Sequence, residues 1–170
     1  MSAFLLSVHV LAAIITIGPV AVAASMFPRF ARLALALPGD ATRGAVVRIL
    51  HRITRVYAVV GALVPVFGIA TGASIGVLGD AWLIVSMIVT VVAAALLVAR
   101  VLPGQAQVVS ALDAGVGEAD DATRNSGAGL RAGCDAARRL AMSTGMFNLA
   151  WAIVVVLMIY RPGSTTGVGR

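Results

Sequence analysis

Lysine is absent and cysteine nearly so. A single cysteine, Cys134, among 170 residues excludes an internal disulfide and any cysteine-only metal site within one chain. Aromatic residues make up only 5% and are not interleaved with basic ones, so there is no stacking platform for nucleic acid, and none is expected as a partner. Charged residues amount to 12%, and no Asp, Glu, Lys or Arg lies in the central part of any long apolar stretch. That scarcity excludes a proton pump, a transporter with buried carboxylates and a voltage sensor.

What remains is apolar. Hydrophobic residues make up 60% of the chain and the mean hydropathy is +1.00, beyond an ordinary soluble domain. A spanning helix needs about 20 mainly apolar residues. Four stretches qualify, at about residues 3–27, 53–78, 81–102 and 140–160. The chain therefore reads as one all-α transmembrane domain, a four-helix bundle in the cell membrane. The first stretch lacks a basic leader and exceeds a typical signal-peptide core of about 7 to 15 residues, so it is expected to be retained as a span.

Net charge is +6, and all thirteen basic residues are arginines. Arg29, Arg32, Arg43, Arg48, Arg52 and Arg55 flank the first connection, 28–52; Arg100, Arg124, Arg131, Arg138 and Arg139 flank the third, 103–139. The second connection, at Gly79 and Asp80, has none. The positive-inside rule then makes 28–52 and 103–139 cytoplasmic loops, with both termini outside. Trp82 and Tyr160 fall at the expected outer boundary, where amphipathic rings prefer to sit.

Within the first connection, Pro38-Gly39-Asp40 reads as a turn and N-cap. Arg48, His51, Arg52 and Arg55 then recur at helical spacing. Arg48, Arg52 and Arg55 are expected to face anionic lipid headgroups. The polar stretch 118–129 reads as a linker, and Cys134, between Arg131 and Arg138, as a cytosolic thiol.

Inside the spans, Gly68, Gly72 and Gly76 share one helix face and form a packing surface for a helix of the same chain, a second copy or another membrane partner. Pro19 and Pro65 predict kinks. Asn148 and Thr16 lie at comparable depth, and a hydrogen bond between them would satisfy both.

With no Asp, Glu, Lys or Arg in the central part of any span, His9 is the remaining ionisable side chain of that kind within the hydrocarbon, roughly 9 Å below the outer boundary at 1.5 Å per residue. It should face protein. Thr71 and Ser86 reach the same depth and could hydrogen-bond its ring. The chemical alternative is an axial ligand to haem iron or a copper ligand, since a neutral imidazole suits both. His51 cannot complete a bis-histidine site with His9, being near the opposite ends of the spans. Met87 and Met142 read as filling, not as ligands.

The stretch Leu5-Leu6-Ser7-Val8-His9-Val10-Leu11-Ala12-Ala13, with Gly18 beyond it, resembles the opening helix of the copper-resistance D-like superfamily, which includes the HemJ-type protoporphyrinogen oxidases. Pro65 to Gly72, Trp82-Leu83 and Tyr160-Arg161-Pro162 extend the resemblance to a four-span branch of predicted integral membrane proteins. It implies a haem-binding role for His9. Thr16 stands where those relatives have tryptophan, and their lysine partner has no counterpart.

The whole inventory favours a structural or accessory membrane component packing through its glycine face. The alternatives are a haem-binding redox protein using His9 and a small-molecule or metal permease.

Overall fold

A computed structural model describes residues 2–37, 40–115 and 126–163. The expected turn at Pro38-Gly39, most of the 118–129 linker, and the side chains of Arg124, Arg131, Cys134 and Arg170 lie outside the described residues.

Every regular element is helical among those residues. Helix α1 is Ser2–Ala36, α2 Ala41–Gly61, α3 Leu63–Ile75, α4 Ala81–Leu96, α5 Leu102–Gly115 and α6 Ser126–Tyr160, with a π-helical turn, Leu97–Val101, joining α4 to α5. They combine into four rods long and apolar enough to cross a membrane: Ala3–Ala36, Ala41–Ile75, Ala81–Ala114 and Asp135–Tyr160. The protein is an all-α, four-helix integral membrane bundle.

The rods outrun the apolar stretches. Rods of 34 and 35 residues measure about 50 Å at 1.5 Å per residue, against a hydrocarbon layer of about 30 Å. Hence most of 28–52 and 103–115 is helix, not loop. Apolar content marks where a helix leaves lipid, but backbone hydrogen bonding continues through arginine and alanine, which are good helix formers.

Local chemistry sets the breaks. Asp40 caps α2, its Oδ1 accepting from the Thr42 and Arg43 amides at 3.0 and 3.1 Å. Pro65 cannot donate to Gly61, and at this interruption the Ala62 amide bonds Val59 O at 3.2 Å, parting α2 from α3. Pro19, by contrast, sits within an unbroken α1. Pro103 likewise lacks a donor, and just before it Leu102 bonds back to Leu97, one residue farther than in an α-helix.

At the other end α3 closes with Gly76 in the left-handed region, φ 75° and ψ 20°. Val77 N donates to Gly72 O at 3.1 Å and Gly76 N to Ala73 O at 3.3 Å, the paired bonds of a glycine-terminated helix. Nothing lies within 4 Å of a Cβ placed at Gly76. It is a helix terminator, not part of the packing face.

The rods run up and down in sequence order. The first packs against the second and fourth, and the third against the fourth, while α2 also meets α5. The densest packing lies toward the arginine-rich end. There Val20, Ala23, Ala24, Phe27, Ala31 and Ala34 of α1 meet Val47, Leu50, Ala93, Leu97, Val101, Val108, Leu140 and Phe147. Small residues along α1 let the backbones approach closely. Outward faces carry Phe4, Val59, Val91 and Leu149, each more than 60% exposed, as a lipid-facing surface requires.

Candidate functional site

The half of the bundle away from the arginines is less filled. Among the four rods lies a cavity of about 450 Å³, walled by His9 and Ala13 of α1, Gly68, Thr71 and Gly72 of α3, Leu83 of α4 and Met158 of α6, with Arg161 also in its lining. Small-molecule sites typically occupy about 300 to 1,000 Å³.

His9 is seated by two features of one turn of α3. Its Nδ1 lies 3.0 Å from Val64 O, and its ring rests against the bare Cα of Gly68, where a Cβ would stand 3.0 Å from Cε1. Residues 64 and 68 share a helix face, so carbonyl and gap are presented together. A carbonyl oxygen only accepts, so Nδ1 carries the proton and the lone pair of the neutral ring belongs to Nε2. A backbone carbonyl on Nδ1 is the usual support of a histidine that ligates through its other nitrogen.

The hydroxyls expected around His9 are engaged elsewhere. Thr71 donates to Phe67 O and Ser86 to Trp82 O, each at 2.7 Å. Equal depth placed them level with the imidazole but could not place them on the facing side, and the carbonyl four residues back is always in reach.

The expected pair of Asn148 and Thr16 is likewise replaced. Thr16 donates to Ala12 O at 2.7 Å, and Asn148 Nδ2 donates to Ser25 Oγ at 2.9 Å. Counting residues from a common surface assumes flush, untilted helices, and a stagger between α1 and α6 brings Ser25 into range instead. Asn148 Oδ1 and Thr144 Oγ1 are buried without a partner among the described residues.

Gly72 faces the same chain as Gly68 does: a Cβ there would lie 3.0 Å from Leu83 Cδ2 and 3.3 Å from Leu78 Cδ2. Met87 is 39% and Met142 71% exposed, and neither lines the cavity. Met158, which does, was overlooked because its position near the end of an apolar run carries no signal of its own.

At the cavity's end the Arg161 guanidinium stands 5.5 Å from the centre of the Trp82 ring, and Trp82 Nε1 donates to Asp80 Oδ2 at 2.9 Å. Trp82, expected among the headgroups, is 6% exposed. It belongs to the bundle because the adjacent Arg161 and Asp80 hold both its face and its polar edge.

His51 belongs to a separate polar contact at the arginine-rich end. Its Nδ1 meets Gln105 Oε1 at 3.1 Å, and Gln105 Nε2 reaches Thr54 Oγ1 at 3.5 Å. Gln105 is fully buried and tied to α2, although it lay in a segment expected to be loop. Nearby, Arg48 is claimed by Asp113, with Nε and Nη2 at 3.0 and 2.6 Å from Oδ1. Of the expected headgroup stripe, Arg52 and Arg55 remain exposed and Arg48 is paired. No group of three or more His, Cys, Asp or Glu able to hold a metal occurs among the described residues.

Compared with known proteins, the chain matches no family model, no curated protein and no solved structure.

Proposed function

We propose that this multi-pass membrane protein binds haem in the cavity of its less filled half, with His9 Nε2 as an axial ligand. The observation that carries the reading is the seating of His9: a ring fixed through Nδ1 by Val64 O, at the wall of a 450 Å³ cavity. The chemistry of the lining fits the group. Its described walls are almost wholly apolar, as a porphyrin face requires, and Arg161, the cation among the described lining residues, would meet the carboxylate edge of the ring. Met158 offers a thioether as the other soft donor.

Bound there, haem supplies one-electron redox chemistry or ligand binding at the iron. The chain's part is narrower. Val64 holds the tautomer, Gly68 leaves room for the imidazole, and the apolar wall limits water. Kinship with the haem-binding relatives of the copper-resistance D-like superfamily belongs to this proposal. Copper is less favoured, because a single imidazole, with no further histidine, cysteine or carboxylate grouped with it among the described residues, makes a poor copper site. The glycine face serves the cavity rather than an outside partner, since Gly68 and Gly72 receive His9 and Leu83 of the same chain.

We also place the protein in the cell membrane with both termini outside, on the arginine distribution. Expressed with added haem and purified, it should show a Soret band that weakens in His9→Ala; a colourless preparation refutes the reading. A cysteine introduced at Gly79 should react with an impermeant reagent on intact cells while Cys134 stays protected, and the reverse pattern overturns the orientation.

A further inference from the structure

A second cavity, of about 660 Å³, opens between α5 and α6 at the arginine-rich end. Its lining includes Arg100, Gln107, Asp135, Arg139 and Ser143 together with apolar Leu35, Val108 and Leu140. Neither Arg100 nor Arg139 forms an ion pair with a described residue, although Asp135 is in the same lining.

Helix rise puts both arginines near the edge of the hydrocarbon. Arg100 is nineteen residues beyond Ala81, the start of α4, which is about 28 Å of helix, and Arg139 is twenty-one residues before Tyr160, the end of α6, which is about 31 Å, against a hydrocarbon thickness of about 30 Å. Two rods thus deliver a guanidinium to the same level, where lipid phosphates lie. The π-helical turn that carries Arg100 re-aims it relative to a regular helix.

We infer that this groove binds the phosphodiester of an anionic phospholipid in the leaflet at the arginine-rich end. Arg100 and Arg139 donate to the phosphate oxygens and the Gln107 amide is a further donor in the lining. Asp135 accepts from a headgroup hydroxyl. Among the described lining residues, two arginines against one carboxylate leave a single positive charge, which suits a singly charged diester carrying a glycerol headgroup. Leu140, one residue inward of Arg139, adjoins the upper acyl chain, while Leu35 and Val108 lie on the side of the groove away from the hydrocarbon. The site is distinct from the exposed Arg52 and Arg55, which lie on α2 and do not line it.

The test uses the full-length protein in mild detergent, mixed with equal amounts of phosphatidylglycerol, phosphatidylethanolamine and phosphatidylcholine and weighed intact by native mass spectrometry. Phosphatidylglycerol should be retained preferentially. The pair Arg100→Gln and Arg139→Gln should weaken that retention about 25-fold, at about fivefold for each basic residue near an anionic headgroup. Ala111→Trp, which fills the groove and leaves both arginines in place, should do the same should the arginine pair disturb folding. Arg52→Gln with Arg55→Gln should leave retention unchanged. Equal retention of the three lipids, or equal loss in the α2 pair, overturns the inference. Displacement by millimolar glycerol 3-phosphate overturns the lipid as the source of the phosphate.

Discussion

Gly68→Ala is the sharpest probe of how His9 is held. The new Cβ would stand 3.0 Å from Cε1, 3.5 Å from Nδ1 and 3.6 Å from Nε2, whereas carbon atoms prefer about 3.5 to 4.0 Å. The ring must retreat by at least about half an ångström. Its Nδ1 bond to Val64 O is already 3.0 Å long, and retreat carries it toward the limit of a useful hydrogen bond. Leaving buried partners unpaired costs about 1 to 3 kcal/mol. Against this, alanine gains up to about 1 kcal/mol over glycine inside a helix. The single variant alone is therefore uninformative, because two effects of similar size oppose one another.

A double-mutant cycle separates them. In a His9→Ala background the clash disappears, so Gly68→Ala should stabilise by up to about 1 kcal/mol. The measurement is reversible unfolding in mixed micelles followed by far-ultraviolet circular dichroism for all four proteins. A coupling within about 0.5 kcal/mol of zero would refute the seating of His9 against Gly68.

Gly76→Ala should destabilise by about 1 to 2 kcal/mol in the same unfolding assay, since its φ of 75° is strained for any L side chain although the space around it is open. Gln105→Leu should cost about 1 to 2 kcal/mol by leaving His51 and Thr54 without their link to α5, and a stabilised variant would remove the contact from the account. Asp113→Asn should cost less than about 1 kcal/mol, because the Arg48 pair is about half exposed; a larger loss in thermal unfolding would mean the pair is buried in the membrane protein. If haem is bound, Met158→Leu should shift the Soret band only if the thioether is the second axial ligand, and an unchanged spectrum assigns that position to another group.

Span number and span type were legible because lipid imposes them residue by residue. An apolar stretch of sufficient length has few alternatives to a helix in hydrocarbon, and the distribution of arginines is a property of the chain alone. Helix length beyond the membrane was legible only in part: Asp40 and the spacing of Arg48, His51, Arg52 and Arg55 announced the start of α2, whereas Phe30 to Ala36 and Leu102 to Gly115 continue the backbone ladders with apolar stretches too short to mark a span. His9 and Asn148 stood out as the costly side chains of the spans, but the partner of neither did. The acceptor for His9 is a backbone carbonyl, Val64 O, and every residue has one, so no residue type announces it.

Gly68, Gly72 and Gly76 show the same division. Their four-residue spacing promised a single stripe, and the fold divides it among an imidazole seat, a leucine contact and a helix terminator. Asn148 found Ser25 rather than Thr16 because interhelical stagger is set by packing along the whole length of α1 and α6. Composition and periodicity by themselves determined an all-α bundle of four membrane helices and singled out His9. Only the tertiary structure decided which carbonyl holds that histidine, which arginines share a groove and where the bundle stays open. Those outcomes depend on rotation and offset between rods, and such rigid-body variables leave no trace in any one helix's sequence.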